Sequence, residues 1–474
     1  MHANSSSSAP SEGTRREFIK KASTAAAVVA SANLFKTPVY GQNQAPSSGR
    51  VIGANDRITV GIIGVGYGIG QNHLKGIHGN AGENNTVIAA ACDLWNRRRD
   101  WAKETAGLKD SDICGDHRKL LERNDIDAVL IATHDIWHAG VTIDALEAGK
   151  HVYCEKPMTR YLDEAFRVHD MVKKTGKVFQ LGTQGCSAEG WHKCADLIKG
   201  GKVGQLIWAQ ANYPRNSVNG EWNYKIDEIV AGTVEPGAAS AANIDWEQWL
   251  GPVKKRAAFN ADHFHRWRKY YPYCAGLLGD LVPHRLIPLM VAAGDVQFPT
   301  RVTSIATKNV HPDAMVPGTP ERDVPEHVQV LAEFGGGYMF TVTCSTVNSK
   351  APGAEIHTHK ATLKISDPGD AVELIPEKDW SEEIDPQSFT GLAHEDPRPH
   401  EKNWFDCIRN GKPTNANIDI AVRAQTVISL AEMSQRLNMT CLFDEKTRKI
   451  TTGDGKEGGT KEVKAITYGT LELS

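Results

Sequence analysis

Arg57 to Gly70 reads RITVGIIGVGYGIG, a β-branched apolar run that breaks into glycines. Such a run is a buried strand, and the glycines after it permit a tight turn and close approach of the backbone to a pyrophosphate seated on the next helix N-terminus. Gly64 and Gly66 occupy the first two positions of that pattern. The third falls on Ile69, with Gly68 and Gly70 on either side, so the loop departs from the usual spacing by one residue. Gly64, Gly66, Tyr67, Gly68, Ile69 and Gly70 are therefore the expected phosphate-facing residues. A second apolar run, Thr86 to Cys92, ends in Asp93, an acid placed to accept hydrogen bonds from an adenosine ribose, which favours NAD. Arg97, Arg98 and Arg99 follow and could receive a 2'-phosphate, leaving NADP open, or form a solvated first helical turn.

The alternation continues downstream. The pattern predicts a helix over 111–123, a strand over 128–132, a helix over 139–148, a strand over 151–153, a helix over 162–175 and a strand over 178–181. Repeated βα units imply a parallel, doubly wound sheet. Its ligand crevice lies outside the carboxyl ends of the strands. Thr133, His134 and His138 are expected in one such loop, and Gln184 just past the last strand. Gly149 to Met158 reads GKHVYCEKPM. Here Glu155 and Lys156 fall where a strand stops, and Pro157 restricts the lysine before it. Taken singly, a lysine in a charged turn is usually solvated.

Together, Gly64-Val65-Gly66, Ala132-Thr133 with His138, and the run from Ala148 through Glu155-Lys156-Pro157 resemble the glucose-fructose oxidoreductase, inositol dehydrogenase and rhizopine-catabolism (Gfo/Idh/MocA) family. The resemblance implies a Rossmann domain over 56–180, followed by an α/β domain over 181–450. A large open, mainly antiparallel sheet of the second domain carries the substrate pocket and often the oligomer interface. It implies a bound nicotinamide cofactor, a homodimer or homotetramer, and a lysine, Lys156, at the nicotinamide and substrate, with Glu155 and Gln184 near the cofactor.

Ala275 to Pro288, AGLLGDLVPHRLIP, resembles the second signature of that family, in which an aspartate and a histidine four residues later face the pocket. Asp280 and His284 would share a face if both lie on one helix. Asp280 can equally be read as an N-cap, with Pro283 in the first turn. Asp262 to Tyr273, DHFHRWRKYYPY, supplies Arg266, Trp267, Arg268 and Tyr271 as candidate sugar contacts, since sugars need aromatic faces and charged forks. His263 with His265 and His357 with His359 would share strand faces, yet neither pair has an evident third ligand, so no metal site is expected. The segments 213–224 and 245–252 could roof the pocket. Strands are expected over 302–307, 328–334, 338–345 and 361–365, with a Gly335-Gly336-Gly337 hairpin turn, then helices over 401–409 and 418–436, and a mobile polar tail over 451–474.

Length and charge agree with this organisation. The chain has 474 residues, 40% hydrophobic and 23% charged, with net charge -3 and a pI near 6.7. That leaves no electrostatic footprint for nucleic acid or an anionic membrane and favours a small-molecule partner, which the resemblance implies is a carbohydrate. The first 48 residues read as leader and linker. Arg15-Arg16-Glu17-Phe18 and Lys20-Lys21 precede a weakly apolar run from Ala22 to Phe35, resembling a twin-arginine export signal and too short for a comfortable transmembrane helix. Small residues at Ala30-Ser31-Ala32 offer one cleavage point, and a site nearer Gly41 is another. Nine scattered cysteines form no CxxC framework and read as buried small hydrophobes, with disulfides left open.

The expectation is an exported NAD(P)-dependent oxidoreductase of a sugar or polyol, using Lys156, Asp280 and His284 and a tightly held cofactor. Alternatives are a redox-neutral glycosidase or lyase that oxidises its sugar transiently, and a non-catalytic sensor on the same scaffold.

Overall fold

A computed structural model describes residues 57–224, 226, 238–308, 310–311, 321–453 and 459–471. The expected export signal lies outside them.

The first sheet has six strands: β1 Ile58–Ile63, β2 Thr86–Cys92, β3 Ile113–Cys114, β4 Ala128–Ile131, β5 His151–Glu155 and β6 Phe179–Gly182. Their order is β3-β2-β1-β4-β5-β6 and every pairing is parallel. β1, β4 and β5 are buried along their whole length, as near-continuous apolar strands covered on both faces must be. Two local expectations are corrected. The stretch 111–123 is not one helix. It holds the short strand β3, and the Asp116 carboxylate caps a helix that begins only at His117. The helix after β4 opens at Asp135, so His138 lies on it rather than in the loop.

The second sheet has eleven strands, β7 Leu206–Pro214, β8 Pro299–Thr307, β9 His327–Phe334, β10 Tyr338–Ser345, β11 Ala354–Thr358, β12 Ala361–Ile365, β13 Val372–Pro376, β14 Gln387–Phe389, β15 Cys441–Asp444, β16 Lys449–Gly453 and β17 Thr460–Val463. They run β14-β13-β12-β11-β7-β10-β9-β8-β15-β16-β17. β7 and β10 are parallel; the remaining pairings are antiparallel. Gly337, with φ 80°, closes the β9–β10 hairpin. Of the stretch from Thr451, expected as a mobile tail, residues 451–453 instead complete β16 and 460–463 form β17, which pairs antiparallel along the edge of β16. Past it, the Tyr468 ring meets Tyr161 edge-on at 4.7 Å.

Helices Glu189–Lys199, Pro283–Ala293 and Ile418–Leu437 pack on one face of this sheet. The last is buried over most of its length, started by the Asn417 side chain on two backbone amides and stopped by left-handed Asn438. The opposite face carries Ile305, Leu331, Met339 and Ile375 at 70%, 42%, 40% and 39% exposure. The chain does not divide cleanly in two near residue 180. Helix Pro397–Asn410 returns to the first sheet, where Trp404, Phe405 and Ile408 join Ile58, Ile62 and Tyr153 in one core. All nine cysteines are free, and only Cys114 is more than marginally exposed. No helix among the described residues is long and apolar enough to cross a membrane.

Candidate active site

The glycine loop is shaped by sterics at its two ends. A Cβ on Gly64, whose φ is +89°, would stand 2.6 Å from Ala132 backbone atoms, and one on Gly70 would stand 2.5 Å from the Gly64 carbonyl oxygen. Gly70 thus fills the close-packing role that strict spacing assigned to Ile69, and the turn is one residue longer. A Cβ on Gly66 or Gly68 would meet nothing, so their openness leaves the backbone approachable. Helix Ile69–Gly79 begins here with no acidic side chain in its first turn, which suits an incoming phosphate.

Asp93 is fixed against this loop. Its carboxylate accepts the Val65 amide at 2.9 Å and the Trp95 amide at 2.9 Å, and each oxygen keeps a lone pair for a ribose hydroxyl. Burial raises its pKa, opposed by those two amides. Arg99 donates to the Asp93 carbonyl at 2.6 Å and to Asn96. Arg98 lies over the Trp95 ring at 4.8 Å, with the largely exposed Tyr67 ring at 5.9 Å. A cleft of about 430 Å³ beyond Asp93 is lined by Asn96, Arg99, Asp116, Ile244 and Gln248, and does not include Lys156.

At the end of β5, Lys156 donates to Asp280 Oδ1 at 2.6 Å and to the Asp280 carbonyl at 2.9 Å. An ammonium has three N–H groups, so one remains for a ligand. Asp280 is held from three sides: Arg268 Nε donates to its Oδ1 at 3.2 Å and Trp222 Nε1 to its Oδ2 at 3.0 Å. Burial alone would raise its pKa; Lys156 and Arg268 outweigh burial and hold the carboxyl well below the usual range. Asp280 ends a short helix, Leu277–Asp280, and is not a cap, because Val282 occupies the N-cap of the helix opened by Pro283. His284 follows on that second helix. Burial lowers its pKa against the pull of Glu395, so the ring is neutral near pH 7. Its Nδ1 lies 3.7 Å from Glu395 Oε1, too far for a hydrogen bond, and Tyr213 packs 5.3 Å from the ring.

Glu155 takes a different role from the one its motif suggested. It is 3% exposed and accepts from His73 Nε2 at 2.8 Å, while His73 Nδ1 donates to Glu401 at 2.6 Å. Burial would lower His73, yet the two carboxylates outweigh it and raise the ring to about 9. The imidazolium pins the root of Lys156 to the glycine-loop helix and to helix Pro397–Asn410. Gln184 adds a 3.4 Å contact to Glu155. Thr133 stands at the close approach to Gly64. His138 faces the carbonyls of Pro157 at 2.6 Å and Thr133 at 3.1 Å, bracing the turn rather than opening to a ligand. His134 stacks on Trp249 at 4.4 Å, so the 245–252 segment does lie over this sheet edge.

Of the expected sugar contacts, Arg268 stands in the site and Trp267 lies 4.2 Å beneath its guanidinium. Two are corrected. Arg266 is buried in an ion pair with Asp262 at 2.9 Å, and the Tyr271 ring is covered by Arg436 at 4.0 Å; both are taken by packing. His263 and His265 lie in helix Ala261–His265, not on a strand, and His357 is stacked on Trp208 at 3.9 Å. The sequence reading missed His73, Glu401, Glu395 and Asp135. No local pattern announces partners such as His73 and Glu401, 328 residues apart.

Residues 58–183 match the family model described as "Oxidoreductase family, NAD-binding Rossmann fold". Residues 215–319 match "Oxidoreductase family, C-terminal alpha/beta domain". Both matched segments are those of the Gfo/Idh/MocA oxidoreductase family. The first domain is accordingly an NAD-binding Rossmann domain, and the Gly64–Gly70 loop with Asp93 fits that cofactor. Inositol 2-dehydrogenase of Salmonella typhimurium is 25% identical over 238 residues, covering 50% of this chain and 65% of that protein. A glycosyl hydrolase family 109 protein of Shewanella pealeana is 29% identical over 211 residues, covering 42% of this chain and 45% of that protein. The chain thus spans less than two thirds of each. Among solved structures, levoglucosan dehydrogenase in complex with NADH superposes with TM-score 0.63 at 17% identity, covering 81% of this chain and 98% of that one. An oxidoreductase domain protein from Kribbella flavida gives TM-score 0.63 at 19% identity over 82% and 100%. At these identities the likeness concerns the fold.

Proposed function

We propose that this protein oxidises a CH–OH group of a sugar or polyol, with Lys156, Asp280 and His284 as its catalytic group. The observation that carries the reading is the pairing, at the carboxyl edge of an NAD-binding sheet, of a lysine with one uncommitted N–H and a half-buried histidine whose pKa is lowered by its partial burial. NAD, when bound, supplies the hydride acceptor. The spare N–H of Lys156 donates to the substrate oxygen and stabilises charge developing there. His284 takes the hydroxyl proton through Nε2, which makes no hydrogen bond within the protein among the described residues. Asp280 keeps Lys156 aimed. Arg268, resting on Trp267, offers its two terminal nitrogens to further hydroxyls.

The leader places this chemistry outside the cytoplasm in our reading, where no free NAD pool is expected to reoxidise the cofactor, so NAD stays bound between turnovers. The apolar face of the second sheet is proposed to pair with a second copy. The glycosyl hydrolase relative favours a second reading, in which the sugar is oxidised, loses its glycosidic group and is reduced again. Mass spectrometry of nicotinamide released on denaturing purified mature protein, followed by absorbance of the bound cofactor during a polyol and glycoside screen, separates the readings. Polyol oxidation that leaves the cofactor reduced supports the first, and glycoside cleavage without net reduction supports the second. Protein unable to bind NAD would overturn both.

A further inference from the structure

Asp135 is a carboxylate that accepts no hydrogen bond from any described residue. It is the first residue of helix Asp135–Glu147, following the N-cap His134. It is nevertheless only 5% exposed. Burying a carboxylate without hydrogen bonds is costly, and such a group is not retained for stability.

Its position is informative. A Cβ on Gly279 would stand 3.4 Å from Asp135 Oδ2 and 3.4 Å from Pro157 Cγ. The carboxyl therefore abuts Gly279, the residue before Asp280, and Pro157, the residue after Lys156, packs against the same glycine. The charged groups acting on it are Arg268, Lys156, Asp280 and Arg160, and its own charge raises the pKa of the Cys154 and Cys274 thiols. The two aspartates divide their roles by environment. Asp280 is bonded to two cations and stays ionised, whereas burial pushes Asp135 up to about 7 against Arg268 and Lys156.

We propose that Asp135 is a substrate-contacting residue that accepts a hydrogen bond from a second hydroxyl, next to the carbon oxidised, so that the site selects vicinal polyols over simple alcohols. This rests on the oxidoreductase reading above. The ionised carboxylate is the acceptor, so recognition is present above its titration and lost on acidification.

The test compares wild type with Asp135→Asn and Asp135→Ala in the full mature chain, using inositol and a deoxyinositol lacking the neighbouring hydroxyl. Wild type should prefer inositol in kcat/KM by about 10- to 100-fold, the range for a hydrogen bond to a charged group. Both variants should lose most of that preference while binding NADH as wild type does, and should lose the acid limb near pH 7 in kcat/KM. A turnover-independent readout accompanies it. The folded carboxyl, raised from 3.8 to about 7, binds protons that the unfolded chain has released, so stability falls as pH rises across that interval. The melting temperature of wild type should therefore drop relative to Asp135→Asn between those pH values. Wild-type preference preserved in both variants overturns this assignment alone, as does an identical pH dependence of melting. A wild type that reduces NAD with no polyol overturns the oxidoreductase reading and this assignment with it.

Discussion

Replacing His73 by glutamine should remove a pH-dependent fastening between distant parts of the chain. The ring is enclosed, with His73, Glu155 and Glu401 side chains 1%, 4% and 2% exposed, and both its nitrogens face carboxylates. Only the doubly protonated ring donates from both. Its pKa rises from 6.5 to about 9, and at ~1.4 kcal/mol per pKa unit this favours the folded state by on the order of 3 kcal/mol. The sign follows from the direction: the contribution is fully present below pH 6.5 and is lost as pH climbs through about 9. Glu155 is depressed, burial notwithstanding, because His73 bonds it; its share is present above the ordinary glutamate range and is lost on acidification. Glutamine cannot supply the charge and leaves two buried carboxylates facing each other, a loss of ~3–5 kcal/mol near neutrality. Guanidinium unfolding of wild type and His73→Gln, followed by tryptophan fluorescence with Trp404 close by, measures this at pH 6, 7.5 and 9.5. The midpoints should differ strongly at the lowest pH and converge at the highest. Equal midpoints at pH 6, or a difference that does not shrink with alkali, would refute the charged-ring account.

Gly70→Ala should weaken NAD binding by about 5- to 150-fold, since its Cβ would press to 2.5 Å on the Gly64 carbonyl and overpacking costs ~1–3 kcal/mol; fluorescence titration with NADH measures it, and unchanged affinity would remove the packing role given to Gly70. Lys156→Met should lower kcat by about 10²- to 10⁴-fold, the usual range for a lost proton-transfer or charge-stabilising group, while NADH still binds; retained kcat would dismiss Lys156 from the chemistry. Leu331→Arg, on the exposed sheet face, should shift the species seen by sedimentation velocity towards monomer if that face joins two copies, and a wild type already monomeric would end that proposal.

The first domain was legible because its signals are local. The glycine turn after β1, the acid after β2 and the Lys156 turn after β5 each follow from a strand ending, and the parallel order follows from repeated βα units. The third glycine was ambiguous in sequence and was settled by distance, since a side chain at residue 70 collides with the Gly64 carbonyl whereas one at residue 68 does not. The second sheet was only half readable. β9 and β10 alternate strongly and are joined by three glycines, whereas β14 and β17 are polar edge strands recognisable only by what they pair with. Arg266 and Tyr271 show the opposite failure: an aromatic and basic stretch looked like a sugar site, but the partners that claim them, Asp262 and Arg436, could be seen only in three dimensions.

The same asymmetry explains how the two carboxylates beside Lys156 were weighed. Asp280 was found because it stands four residues before a histidine, in a recognisable stretch, while Asp135 sits in an ordinary first helical turn where acids are common. What separates them is the number of hydrogen bonds each receives. Asp280 accepts from Lys156, Arg268 and Trp222, which come from the turn after β5, the 267–269 turn and the 213–224 connection, so its ionised form is stabilised by three separate segments. Asp135 receives none among the described residues and is buried beside Gly279. A site that fastens one acid from three sides and leaves its neighbour without a donor divides two identical functional groups into a permanent anion and one whose pKa burial raises to about 7.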